Sequence, residues 1–115
     1  MDKILELEKN FMKYEYMSNK EYLDNVIDDD YLELGKSGYF FNKKEIIDYL
    51  LSQTSDRPIE IYNFSGEEIN PGLWIVHYIS IHDNKKVYRT SIWRNNKILF
   101  HQASELKVDI DLIKS

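Results

Sequence analysis

The stretch RTSIWRNNKILFHQAS, residues 89–104, reads as two β-strands joined by a short turn. Asn95 and Asn96 tolerate the positive φ angles that a tight hairpin requires. Successive side chains of a strand point to opposite faces. Arg89, Ser91 and Trp93 therefore share one face, and Tyr88, Thr90, Ile92 and Arg94 the other. On the second strand His101 and Ala103 share a face opposite Phe100 and Gln102. Arginine, serine, tryptophan and histidine on a face that ought to be buried are the side chains of a pocket wall.

Working outward, the chain is all strand from residue 59 onward. IEIYNFSGEEI (59–69) alternates, and NPG (70–72) suits a turn with Pro second and Gly third. LWIVHYISI (73–81) is apolar on both faces, as a central strand is. HDNKK turns, VYRTSIW and KILFHQASELKV follow, and the four strands form an antiparallel meander. Upstream, Ile4, Leu7, Phe11 and Tyr14 recur at helical steps, with Leu5 and Met12 widening the stripe. Lys3, Glu6, Glu8, Lys9 and Lys13 take the remaining positions, so one amphipathic helix is expected over roughly 2–16. Ser18 and Glu21 have capping-box spacing at the start of a second helix that buries Tyr22, Leu23, Val26 and Ile27. DDD (28–30) closes it as a solvated helix-to-strand turn. YLELG is a strand, KSG a turn into YFF, and Asn42 with Glu45 starts a third helix that buries Ile46, Ile47, Leu50 and Leu51. The expected order is α-α-β-β-α-β-β-β-β: an α+β fold with three helices packed on one curved, mainly antiparallel sheet.

The 115 residues suit a single domain, 1–115. With 43% hydrophobic and 14% aromatic residues, the composition is that of a globular chain with large aromatic surfaces to bury. The net charge of −5 and the lack of a basic stripe argue against nucleic acid as a partner; Lys43 and Lys44 decorate a first helical turn. No apolar run approaches the length of a membrane span. The chain has no cysteine, which rules out disulfides and thiolate metal sites and makes the cytoplasm the expected location. MDKILELEKN is acidic and amphipathic from its second residue, unlike a signal peptide. His77 and His82 sit five apart and point to opposite faces of one strand, so no metal site is expected. No cofactor is expected either.

Element order, YLELGKSGYFFNKKEIIDYL and RTSIWRNNKILFHQAS together resemble the NTF2-like superfamily, and within it the SnoaL-like, DUF4440-type proteins. The resemblance is carried by a D-x-x-E-x-G-x-S-G pattern ending in Glu33, Gly35, Ser37 and Gly38, by Lys44, Glu45 and Ile46, and by Ser91, Trp93, Arg94, Phe100, His101 and Gln102. It implies a cone in which the sheet curls around the first helix and leaves a pocket open at one end. It also implies that the first strand lies beside the last, that the Ser91 face turns inward, and that Glu33 and His101 join it. Superfamily members commonly dimerise through the outer sheet face. Fold likeness alone does not choose among their functions.

On that implied geometry Phe11, Glu33, Trp74, Tyr78, Arg89, Ser91, Trp93 and His101 are the expected pocket residues. Glu33 and His101 are the candidate catalytic groups, as base and proton shuttle, with Arg89 stabilising an anion. The alternative is a network without chemistry, in which Glu33 pairs with Arg89 and His101 satisfies a neighbour. The steroid isomerases of the superfamily need a helix tyrosine and a penultimate-strand aspartate; those positions fall at Phe11 and Ser91, so that activity is not expected. Ser91 and His101 lack a nucleophile elbow. Two functions remain open: a pocket protein that binds or transforms a small, largely apolar molecule, and a protein-interaction module, of adaptor or immunity type, with an acidic patch around Asp28, Asp29, Asp30 and Glu33. The two-faced strand 73–81 (Leu73, Ile75, Ile79 and Ile81 against Trp74, Val76 and Tyr78) argues in either case for a homodimer through the outer sheet face.

Overall fold

A computed structural model describes residues 2–115. These form helices α1 (Asp2–Asn10), α2 (Tyr14–Met17), α3 (Lys20–Val26) and α4 (Lys43–Leu51), and strands β1 (Ile27–Leu34), β2 (Phe40–Asn42), β3 (Glu60–Asn70), β4 (Leu73–His82), β5 (Lys85–Arg94) and β6 (Lys97–Glu105). The strands make one six-stranded sheet in the order β2-β1-β6-β5-β4-β3. All pairings are antiparallel except β1 with β6, which is parallel. This is the α+β architecture read from the sequence, with the first strand beside the last.

Local chemistry sets the turns. Asp83 and Asn84 (φ 51° and 61°) and Asn95 and Asn96 (φ 51° and 63°) form two-residue hairpin turns, whose backbone twist matches that of the strands they join. In the Pro71–Gly72 turn Gly72 has φ 80°, and a Cβ there would lie 2.6 Å from Asn95 Oδ1. α4 starts on a full capping box: Asn42 Oδ1 accepts from Glu45 N at 2.9 Å, and Glu45 Oε1 from Asn42 N at 3.1 Å. Ile4, Met17, Leu23, Val26, Ile27, Ile47, Leu50, Val76, Trp93 and Ile98 are core residues between the helices and the concave face of the sheet.

Three details differ from the sequence expectation. The helix expected over 2–16 breaks after Asn10, so there are four helices, not three. The chain tightens there, with Phe11 N, Met12 N and Lys13 N each donating to the carbonyl three residues back. Residues 56–57 take up the freed backbone groups: Arg57 N donates to Met12 O at 2.8 Å, and Asp56 Oδ1 accepts from Tyr14 N at 2.8 Å. The cap of α3 is Asn19, whose Oδ1 accepts from Tyr22 N at 3.0 Å, rather than Ser18. The three aspartates are not a turn but part of β1, which begins at Ile27 paired with Ile98. Strand is tolerable there because Asp28 meets Arg94 at 3.0 Å and Asp29 meets Lys43 at 2.8 Å.

Beyond β6 the tail runs to the outer edge of β3. Leu106 N donates to Lys86 O, Asn63 N to Ile113 O at 2.8 Å and Ser115 N to Ile61 O at 3.0 Å. Among the described residues no helix is long and apolar enough to cross a membrane.

Asn42→Ala removes the side-chain half of the α4 capping box and is expected to cost about 1 kcal/mol. Urea titration should show a lower midpoint with an unchanged m-value.

Candidate functional site

The concave face of the sheet does not close completely on the helices. A cavity of about 530 Å³ remains between them. Strand parity decides what it meets: Tyr78 and Ser80 of β4, Val87 and Arg89 of β5, His101 and Ala103 of β6, Tyr31 and Glu33 of β1. α1 contributes Glu8, the turn after it Phe11, and α4 Ile46 and Leu50; Arg57 comes from the loop before β3.

A continuous polar network lies under this wall. Glu8 is 1% exposed, and its two carboxylate oxygens accept from Tyr78 Oη at 2.7 Å and Trp93 Nε1 at 2.8 Å. Arg89 donates from Nε to Ser80 Oγ at 2.7 Å and from Nη1 to His101 Nε2 at 3.1 Å. A guanidinium can only donate, so His101 Nε2 accepts. Its proton sits on Nδ1 and goes to Ser91 Oγ, 2.7 Å away. Ser91 is fully buried, and its own hydroxyl favours the ionised form of Glu8. The imidazole also lies against Tyr78, ring centres 6.4 Å apart, and Phe11 stacks on Trp93 at 6.1 Å.

These surroundings set the protonation states. Burial, then Arg89 and Arg57, push His101 down to about 3. It is a neutral hydrogen-bonding link at pH 7, not a group poised to shuttle protons. Burial raises the pKa of Glu8, against the opposing pull of Ser91, Tyr78, Trp93 and Arg89. Burial and the nearby Glu8 hold the Tyr78 phenol well above its usual value, and burial with Glu33 does the same to Tyr31.

Of the eight residues singled out in the sequence, Phe11, Glu33, Tyr78, Arg89 and His101 lie on the cavity wall. Ser91 and Trp93 turn inward but lie behind the wall, and Trp74 packs against the core away from the cavity. Glu33 lies opposite His101 in the β1–β6 register, yet it takes the hydroxyl of Tyr31 at 2.5 Å and does not pair with Arg89. The aspartates and Glu33 do not form an acidic patch, because Asp28 and Asp29 hold cations and Glu33 faces the cavity. His77 points to the outer face, where it meets Thr90 Oγ1 at 2.8 Å. Among the described residues no three His, Asp or Glu side chains gather as metal ligands.

Two site residues escaped the sequence reading. The sequence reading places Glu8 on the polar side of α1. Its spacing from Ile4 and Phe11, four residues on and three back, places it on the buried stripe. Arg57 sits in SQTSDRP, a run that reads only as a polar linker, and nothing in the sequence singles it out.

The two buried groups have opposite pH signatures. Below 6.5 the unfolded chain takes up a proton on His101 that the folded protein refuses until about pH 3, so its contribution is lost as pH falls through that window. Above 4.5 the unfolded chain has given up the Glu8 proton that the fold still holds, so stability falls as pH rises toward the shifted value. Urea titrations across pH should show the advantage of wild type over His101→Gln shrinking toward acid, by up to about 5 kcal/mol. The difference between wild type and Glu8→Gln should shift in the other direction, toward the variant, as pH rises above 4.5.

No family model and no curated protein matches the chain. Solved structures do. An NTF2-like protein from Cytophaga hutchinsonii is 18% identical, covers 91% of this chain and 97% of its own, and superposes with a TM-score of 0.74. An NTF2-like protein of unknown function from Prochlorococcus is also 18% identical, with 94% of each chain covered and a TM-score of 0.71. A DUF3225 family protein of unknown function from Pectobacterium atrosepticum is 14% identical, with 92% of this chain and 87% of its own covered and a TM-score of 0.71. Helices packed on one curved sheet, a parallel β1–β6 pair, a cavity on the concave side and these superpositions lead to one conclusion: the chain has the NTF2-like fold.

Proposed function

We propose that this NTF2-like domain, spanning 1–115, binds a small, largely apolar molecule in its cone cavity and works in the cytoplasm, the compartment that suits a chain without cysteine. The narrower SnoaL-like, DUF4440-type affinity rests on the sequence motifs alone. The observation that carries the proposal is the cavity itself. About 530 Å³ is left open where a purely structural core would be filled, and the size is that of small-molecule sites, which combine apolar walls with a few fixed polar groups. Binding is favoured over turnover because both ring nitrogens of His101 are occupied and it stays neutral near pH 7. The interaction-module alternative loses support with the ion pairs that tie Asp28 to Arg94 and Asp29 to Lys43.

We also propose a homodimer through the outer sheet face. Tyr88 (41%) and Leu32 (42%) are exposed there, with Ile75, Ile92 and Phe100 half-buried around them, an apolar surface that a second copy would cover.

A library of small apolar compounds screened by thermal shift should yield ligands that raise the melting temperature by about 10 °C at a hundred times Kd. Ala103→Phe, which fills the cavity from β6, should abolish the shift, and its survival would place the ligand elsewhere. Light scattering on a sizing column should give twice the 13.8 kDa chain mass for wild type and a monomer for Tyr88→Glu.

A further inference from the structure

We infer that the cavity ligand carries a carboxylate, held by the guanidinium groups of Arg57 and Arg89, with its apolar body against Phe11, Ile46, Leu50 and Ile98. The inference rests on the binding function proposed above and names the class of ligand.

It starts from an imbalance in how the charges of the cavity are satisfied. Three carboxylates line it, and each takes a hydrogen bond from a group that is not a cation: Glu8 from Tyr78 and Trp93, Glu33 from Tyr31, Asp56 from the backbone N–H of Tyr14. Two guanidinium groups line the same wall. Among the described residues neither has a carboxylate within 4.0 Å. Arg89 spends Nε on Ser80 and Nη1 on neutral His101. Arg57 has one long bond, from Nη1 to Phe11 O at 3.3 Å, and lies 5.7 Å from the ring centre of Tyr49. Arg89 Nη2 and Arg57 Nε and Nη2 have no protein acceptor, yet none is sealed off as a buried unpaired atom. They are left facing open space.

Two cations near each other in a shielded cavity repel. That repulsion is felt: Arg89 adds to burial in making the charged form of Arg57 harder to hold. An anion between them would relieve it, and planar guanidinium groups bind carboxylates through paired N–H donors. The three carboxylates on the wall disfavour the second negative charge of a phosphate. His101 does not compete for the anion as a cation, because it is neutral. The apolar wall then selects the tail, so that an amphipathic monoacid fits better than a bare anion.

The test is calorimetric titration with octanoate and hydrocinnamate beside their neutral amides, octanamide and hydrocinnamamide. At least one acid should bind about ten- to a hundredfold more tightly than its amide. Arg57→Gln should bring that ratio close to one, whereas Lys44→Gln, an exposed change of equal charge on α4, should leave it alone. Arg57 is the variant of choice because Arg89 also holds Ser80 and His101 in place; circular dichroism checks its fold. Amides that bind as well as the acids would overturn the carboxylate while leaving the apolar cavity site standing. Octyl phosphate binding more tightly than octanoate would overturn it in favour of a dianion. If neither acids nor amides bind, the cavity function fails with it.

Discussion

A carboxylate in the core holds this molecule in register. Taking Glu8 out of water costs several kcal/mol, and the cost is offset only where Tyr78 of β4 and Trp93 of β5 both reach it. α1 is thereby fixed against two central strands at a defined rotation. Orientation then passes from group to group. Ser91 faces Glu8, His101 Nδ1–H donates a hydrogen bond to Ser91 Oγ, and Nε2 accepts one from Arg89. The guanidinium that reaches the cavity is therefore aimed by a chain of contacts that begins on the first helix. Hydrogen bonds in a poorly polarisable interior reinforce one another, and each link here has one donor and one acceptor with little freedom to exchange roles.

Much of the fold was legible because it rests on short-range rules. The Asn42–Glu45 capping box, the asparagine turn at 95–96 and the alternation along β4 and β5 each involve residues a few positions apart. Strand parity groups Arg89 with Ser91 and Trp93, and His101 with Ala103, and the NTF2-like resemblance turns those faces inward. What was hidden depends on partners far along the chain. The helix expected over 2–16 breaks after Asn10, where residues 56 and 57 bind Tyr14 N and Met12 O just beyond α1. Asp28 continues a strand because Arg94, 66 residues away, answers its charge. Trp74 occupies the inward parity of β4 but stands beyond the cavity, since parity gives a face and not a depth.

The cavity is asymmetric in its bonding. Acids are satisfied by phenols, an indole and a backbone amide, while the arginines are left with donors to spare. Neutral donors meet a carboxylate without cancelling a cation, so positive charge stays available where the wall is open. A neutral histidine serves the same end: it accepts a hydrogen bond from Arg89 without neutralising it. Turning Glu33 from Tyr31 to Arg89 would neutralise one of the two guanidinium groups.

The C-terminal tail bears on how this sheet meets other chains. β3 ends the strand order, and the backbone groups of Ile61 and Asn63 on its outer side are taken by Ser115 and Ile113. A strand border left bare is a template on which foreign strands can grow. Here residues 113–115 cover the first part of that border, a selvedge along the margin where β3 begins. Lys9 of α1 clasps the carbonyl of Ser115 at 3.0 Å, so the first helix also holds in place the segment that lines this border.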